Sequence, residues 1–261
     1  MRVGVGRLGC FSMAIATAAL LGASSEAAAQ SVQRPFFAGE RLDYRVKVGR
    51  FGTIGRGAMW VEGPVELRGS QAYILRFDFR ARVGPFKAVD RTESWIDPSR
   101  MAALRYHKHE RHLLSSNDEQ VELFPDAHRW EAGNGEAGDS PTEAPLDELS
   151  FIYFVRTLPL PADTSYSLDR HFDAKRNPVT VRVLGRERVA TGAGDFHTVL
   201  VEMRVMDPRR YQGEGVIRIN LTDDDCRLPV RIESAVPKVG TTVFTLSSHT
   251  HPAAHAIARA F

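Results

Sequence analysis

The densest run of side chains able to do chemistry is Tyr106-His107-Lys108-His109-Glu110-Arg111-His112. On a strand, His107 and His109 would project from one face, and Glu110 or His112 would add a further metal ligand. The zinc-protease pattern H-E-x-x-H is missed by one residue, because His109-Glu110-Arg111-His112 closes too early. The competing reading is a solvent-facing strand running into a turn, and the pattern favours it.

Asp223-Asp224-Asp225 concentrates carboxylates that calcium would accept. Calcium loops, however, space their ligands at alternating positions and turn on a Gly, whereas consecutive Asp residues between strands read as a hairpin turn. Cys226, beside that turn, has no partner Cys once the N-terminal segment is gone, and reads as an inert thiol. Arg76, Arg80 and Arg82 alternate along one strand and could touch phosphate headgroups, although Asp78 interrupts them and a solvated sheet face is the plainer reading. No G-x-S-x-G elbow is present. Asn220-Leu221-Thr222 matches a glycosylation acceptor only incidentally. Gly4 to Gly9 fits G-x-G-x-x-G to the letter, but only three residues precede it, so the strand that a dinucleotide site needs is missing.

The elements that would position these residues are mostly strands. Leu42, Tyr44, Val46 and Val48 alternate with Arg41, Asp43, Arg45 and Lys47, and Tyr73 to Val83 repeats the pattern. Similar runs recur, Tyr166–Phe172 among them, up to Thr242–Leu246, with Gly, Asp-Pro and Gly-Pro turns between them, which predicts an antiparallel sheet. Ala132 to Pro145 reads as an exposed loop and Leu146 to Leu158 as a helix stopped by Pro159 and Pro161. Phe151, Phe154, Val155 and Leu158 share one helix face, yet Leu149, Ile152 and Tyr153 make the other faces apolar too. Such a helix must be buried on more than one side, which predicts a curved sheet around it. The four residues Phe151, Phe154, Val155 and Leu158 are the candidate wall of an apolar ligand site, against the alternative that they fill the core.

Arg2 and Arg7, the apolar run from Phe11 to Gly22 and Ala27-Ala28-Ala29 have the three-part layout of a secretory signal peptide. The apolar run is shorter than the ~20 residues a membrane span needs. Cys10 precedes it, the wrong side for lipidation. Cleavage after Ala29 would leave residues 30–248 as one β-rich domain and 249–261 as a loose tail. Thirty-four Lys and Arg against 32 Asp and Glu argue against a dedicated nucleic-acid binder. No second long apolar run predicts a transmembrane segment in the mature chain.

Three segments resemble a bacterial family known as domain of unknown function 3108 (DUF3108). They are Gly39-Glu40-Arg41-Leu42-Asp43-Tyr44 with Gly55 to Glu62, then Asp147 to Arg156, then Leu221 to Asp225 with Leu228 to Ser234. The resemblance implies an exported envelope protein with a fold similar to the lipoprotein carriers LolA and LolB, an open β-barrel closed by helix around an apolar cavity. It supplies no catalytic residues.

The expectation is therefore a mainly β protein, a curved antiparallel sheet forming an open barrel around one central helix, exported to the periplasm of a Gram-negative-type bacterium. Its leading function is to bind a hydrophobic ligand, such as a lipid or a lipoprotein acyl chain, with the outer-membrane surface as a further partner. The alternative is a non-catalytic assembly or structural protein with a filled core; third comes a metal-dependent enzyme built on His107–His112. No catalytic residue, cofactor or metal site is assigned.

Overall fold

The computed structural model describes residues 35–49, 53–83, 86–111, 116–236 and 240–252. The expected signal peptide and His112 lie outside these residues.

Among the described residues, fourteen strands form one antiparallel sheet. The first six are β1 (Arg41–Val48), β2 (Thr53–Leu67), β3 (Ser70–Val83), β4 (Phe86–Asp97), β5 (Ala102–Arg111) and β6 (Ser116–Phe124). Two short strands follow, β7 (Arg129–Ala132) and β8 (Ala137–Asp139), and then the helix α1 (Glu148–Val155). The second half comprises β9 (Ser165–Leu168), β10 (Val179–Thr191), β11 (Gly194–Asp207), β12 (Gly213–Thr222), β13 (Pro229–Val236) and β14 (Gly240–Thr250). Spatially the order is β8 back to β1, then β14 back to β9, so the chain makes two meanders joined where β1 pairs with β14.

Period-two patterning produces this sheet. In β1, Leu42, Tyr44, Val46 and Val48 are buried, while Arg41, Arg45 and Lys47 face solvent. Val181 and Val183 on β10, Val199, Val201 and Met203 on β11, and Ile219 and Leu221 on β12 repeat that inward face. Each such side chain contributes roughly 1.5–3 kcal/mol of burial. Gly57 on β2 leaves room for the Phe244 ring of β14, since a Cβ there would lie 2.9 Å from its Cε1.

The helix is buried nearly all round, as its apolar faces predict. Leu149, Phe151, Tyr153 and Val155 are buried, and Ile152 and Phe154 are half-buried. They belong to one hydrophobic cluster with Leu42 of β1, Leu75 of β3, Leu123 of β6, Val181 of β10 and Ile219 of β12. Both meanders thus share one core with the helix.

Several elements differ from the sequence expectation. The helix is shorter than Leu146–Leu158, because Asp147 is its extended N-cap and Leu146 instead bridges His171 in parallel. The expected loop from Ala132 to Pro145 contains β8, which adds three residues to the edge of β7. The strand expected over Tyr166–Phe172 stops at Leu168. Finally, the expected tail begins too early: His249 and Thr250 pair with Leu42 and Arg41, and His251 is buried. Polar Ser and His side chains on a strand weaken the alternation from which its end is read.

The two edges, β8 and β9, do not pair with each other. The chain leading into α1 crosses between the meanders instead. Ala103 N–H donates to the Pro145 carbonyl (2.7 Å), Leu146 N–H to that of Arg170 (2.6 Å) and Phe172 N–H to that of Leu146 (3.1 Å). The Arg170 guanidinium donates to the carbonyls of Met101 and Ala144.

Candidate functional site

Most of the buried ionisable groups gather at the two ends of α1. At its start, the Asp147 carboxylate accepts from the backbone N–H of Leu149 and Ser150, both at 2.9 Å, and from the Ser94 hydroxyl of β4. The Ser150 hydroxyl accepts from the Asp147 N–H at 2.8 Å, which completes a capping box. Burial pushes the Asp147 carboxyl up to about 6, against the pull of these hydrogen bonds.

Glu148 binds cations on both sides. One oxygen lies 2.8 Å from Arg176 and the other 2.8 Å from Lys108 of β5, where the Tyr106 hydroxyl also donates to it at 3.3 Å. Nearby, His171 is enclosed, its ring 6.3 Å from that of Phe151 and 4.6 Å from that of Phe172. Its Nδ1 accepts the Asp173 N–H at 3.1 Å, so Nε2 carries the proton of the neutral ring. Burial, followed by the charge of Arg176, lowers its pKa to about 4.

At the other end of the helix, Arg156 and Glu40 have fully buried side chains and face each other at two points. Nη1 and Nη2 each lie 2.7 Å from a Glu40 oxygen. Nη2 also donates to the carbonyls of Pro35 (2.8 Å) and Cys226 (3.0 Å). The rings of Phe36 and Tyr153 flank the guanidinium. Burial opposes the charge on Arg156, but the Glu40 carboxylate outweighs it and holds the pKa raised.

His251 lies against the same pair. Its Nε2 is 3.1 Å from the Pro35 carbonyl and 3.3 Å from Glu40, and its Nδ1 is 3.5 Å from the Cys226 sulfur. With Nε2 donating to Pro35, Nδ1 is free to accept the thiol proton. A thiol, an imidazole and a carboxylate in sequence could in principle serve nucleophilic chemistry. Here burial, and then the charge of Asp224, push the Cys226 thiol up, the opposite of an activated nucleophile. The arrangement ties together the chain before β1, the helix, the β12–β13 turn and the end of β14.

The sequence expectation missed this cluster. It read Cys226 as an inert thiol without a partner Cys, and His251 as part of the tail. A partial signal existed: Arg156 is a single charge closing an apolar run, and it and Glu40 lie in two of the three segments that carry the family resemblance. The third segment supplies the Cys226 carbonyl through its turn.

The other candidates separate. His107 and His109 share the outward face of β5, His107 against the Trp95 ring and His109 3.3 Å from Asp118. Glu110 falls on the opposite face, next to Lys108. Among the described residues no three His, Cys, Asp or Glu side chains converge as a metal site. The Asp223–Asp225 segment forms the β12–β13 turn, with Asp224 Oδ1 accepting from the Thr222 hydroxyl and from the N–H of Cys226 and Arg227. Arg76 is paired with Glu62 and Glu93, and Arg80 with Asp78. Phe151 and Val155 are 1 % and 0 % exposed. Phe154 and Leu158 are half-buried, with the Arg170 guanidinium 4.3 Å above the Phe154 ring. A cavity of about 210 Å³ lies on the face of β10–β13 turned away from the core, between Leu184, Glu187, Leu200, Arg218, Asn220 and Glu233. None of the four helix residues lines it.

The chain belongs to the family described as protein of unknown function DUF3108, whose profile matches residues 43–247. No curated protein matches the sequence. Among solved structures, it is similar to a β-barrel-like protein of domain of unknown function DUF1849 from Brucella abortus. The two are 11 % identical over 81 % of this chain and 97 % of that one, with a TM-score of 0.51, so the likeness is one of fold. A Bacteroides fragilis protein with a YmcC-like fold is 13 % identical over 83 % of this chain and 97 % of its own, at a TM-score of 0.33.

Proposed function

We propose that this DUF3108 protein is an exported, non-catalytic envelope protein in which the sheet wraps α1 as an open barrel with a filled interior. It would act through its outer surfaces. The observation that carries this reading is the burial of Phe151 and Val155. Side chains with almost no surface open to a water-sized sphere border no void in which a ligand could sit. The cavity on β10–β13 is polar-rimmed, external and smaller than the ~300–1,000 Å³ of typical ligand pockets. Export is supported by the signal-peptide layout of residues 1–29. Among the described residues no helix is long and apolar enough to cross a membrane.

A second reading keeps an apolar ligand, a lipid or lipoprotein acyl chain. It is favoured by the half-buried Phe154 and Leu158, over which such a chain could lie if Arg170 moved aside. Each buried CH₂ would then contribute roughly 0.8 kcal/mol.

Native mass spectrometry of the protein purified from a Gram-negative periplasm without detergent, before and after organic extraction, separates the two. The bare polypeptide mass in both samples is the expected result. A stoichiometric lipid that disappears on extraction, and is absent from a Phe154→Glu variant, would overturn the filled interior. Recovery of the protein only from cytoplasm, with residues 1–29 retained, would overturn export.

A further inference from the structure

Positive charge is concentrated on the outward face of β1 to β5, at the end of those strands remote from Trp60 and Trp95. Arg45 pairs across strands with Arg56, and Arg56 with Arg80. One step further along, Arg82 pairs with Lys87. Like charges directly opposite each other in an antiparallel sheet are destabilising, with Cβ atoms only about 5 Å apart. Three such pairs side by side are therefore a cost that folding alone gives no reason to keep.

Lys47, Arg91 and Arg111 extend the same face, and all eight of these side chains are exposed. The acids on this face are Asp78, held by Arg80 at 2.8 Å, Asp43, held by Arg41 at 2.8 Å, and Asp118, 3.3 Å from His109. Among the described residues, Arg45, Arg56, Arg82 and Lys87 have no carboxylate partner. The patch ends where Arg76 is neutralised between Glu62 and Glu93. This is a segregation of charge, because Lys and Arg across the whole chain are nearly matched by Asp and Glu, 34 against 32.

We propose that this face is a docking surface for a bilayer rich in anionic phosphate headgroups. From β1 to β5 the array spans about 19 Å at the usual strand spacing. That extent suits a plane of many phosphates better than one small anion. Arginine predominates, and its guanidinium fork matches phosphate oxygens at two points. Unpaired surface cations attract an anionic leaflet additively, and salt screens the attraction. The choice of a lipid surface over a nucleic acid rests on the export reading; the charge pattern itself does not.

The test is co-sedimentation of the purified protein with phosphatidylcholine vesicles and with vesicles containing phosphatidylglycerol, at low and at physiological salt. Binding to the phosphatidylglycerol vesicles alone, weakening as salt rises, is expected. The triple substitution Arg45→Gln, Arg56→Gln and Arg82→Gln should weaken that binding roughly 100-fold, about fivefold per residue. Its melting temperature should be unchanged or higher, since like-charge pairs are relieved, which separates lost charge from misfolding. Equal binding to both vesicle types, or no effect of the triple substitution, would overturn the proposal. So would binding of duplex DNA without binding of vesicles. Vesicle binding is read on purified protein, so it stands or falls apart from export, which cell fractionation tests.

Discussion

Arg156 and Glu40, 116 residues apart in sequence, form a two-point ion pair at 2.7 Å with both side chains fully buried. The guanidinium is the last side chain of the helical segment and the carboxylate precedes the first strand. A buried pair of this kind is not a large net source of stability, because desolvation offsets the attraction. Removing one partner is costly, because the other is left charged in a dry interior.

Glu40→Gln or Arg156→Met should therefore each destabilise the domain by about 3–5 kcal/mol, measured by urea unfolding. The double substitution Glu40→Leu with Arg156→Met should recover most of that loss. Single losses below about 1 kcal/mol would mean that water reaches the pair.

The pH dependence of stability should contain two opposed contributions. His171 is lowered to about 4 from an ordinary 6.5. Its neutral form is favoured by folding, so its contribution is complete above pH 6.5 and is lost as pH falls towards 4. Asp147 is raised to about 6 from 3.8. Its contribution is complete below pH 3.8 and is lost as pH rises to about 6. Between pH 4 and 6 the two slopes cancel in part. Asp147→Asn keeps the cap and the hydrogen bond with Ser94, and should leave stability rising with pH across that window. His171→Phe should leave it falling. Each slope should amount to roughly 2–3 kcal/mol across its window. Denaturant midpoints at pH 4, 5, 6 and 7 measure this, and variants with parallel profiles would refute the assignment.

Cys226 should react slowly with a disulfide reagent, with a rate midpoint above the ordinary thiol value of about 8.5. Asp224→Asn retains the turn's acceptor oxygen and removes the charge, so the midpoint should fall. A wild-type midpoint below the ordinary value would restore a catalytic reading of the thiol beside His251.

The two phenylalanines of the helix should differ. Phe151→Ala leaves a cavity in the core and should cost about 3–5 kcal/mol. Phe154→Ala truncates a half-buried ring under Arg170 and should cost clearly less. Equal costs in thermal unfolding would show that the Phe154 side of the helix is packed as firmly as the Phe151 side.

Local pattern alone made much of this protein legible. Alternation between Leu42 and Val48 predicts β1 because a strand repeats every two residues whatever it packs against. The apolar faces of residues 149–155 predict burial on several sides because a helix in water needs a polar face. Three consecutive aspartates predict a turn because Asp bonds to nearby backbone, as Asp224 does. Pro159 and Pro161 predict a stop to the helix for an equally local reason, because proline cannot continue it.

Contacts between distant residues were not legible in this way. No spacing rule links Glu40 to Arg156 or His251 to Cys226, since both pairs depend on β1 lying beside β14 and on the helix crossing between the meanders. The outward register of Arg45, Arg56, Arg80 and Arg82 also depends on strand pairing, because a one-residue slip would turn each side chain to the other face. Periodicity, caps and turns are properties of neighbours along the chain, and the sequence determines them unaided. Which buried charges meet, and which surface charges stand side by side, depends on long-range pairing and exists only once the sheet has formed.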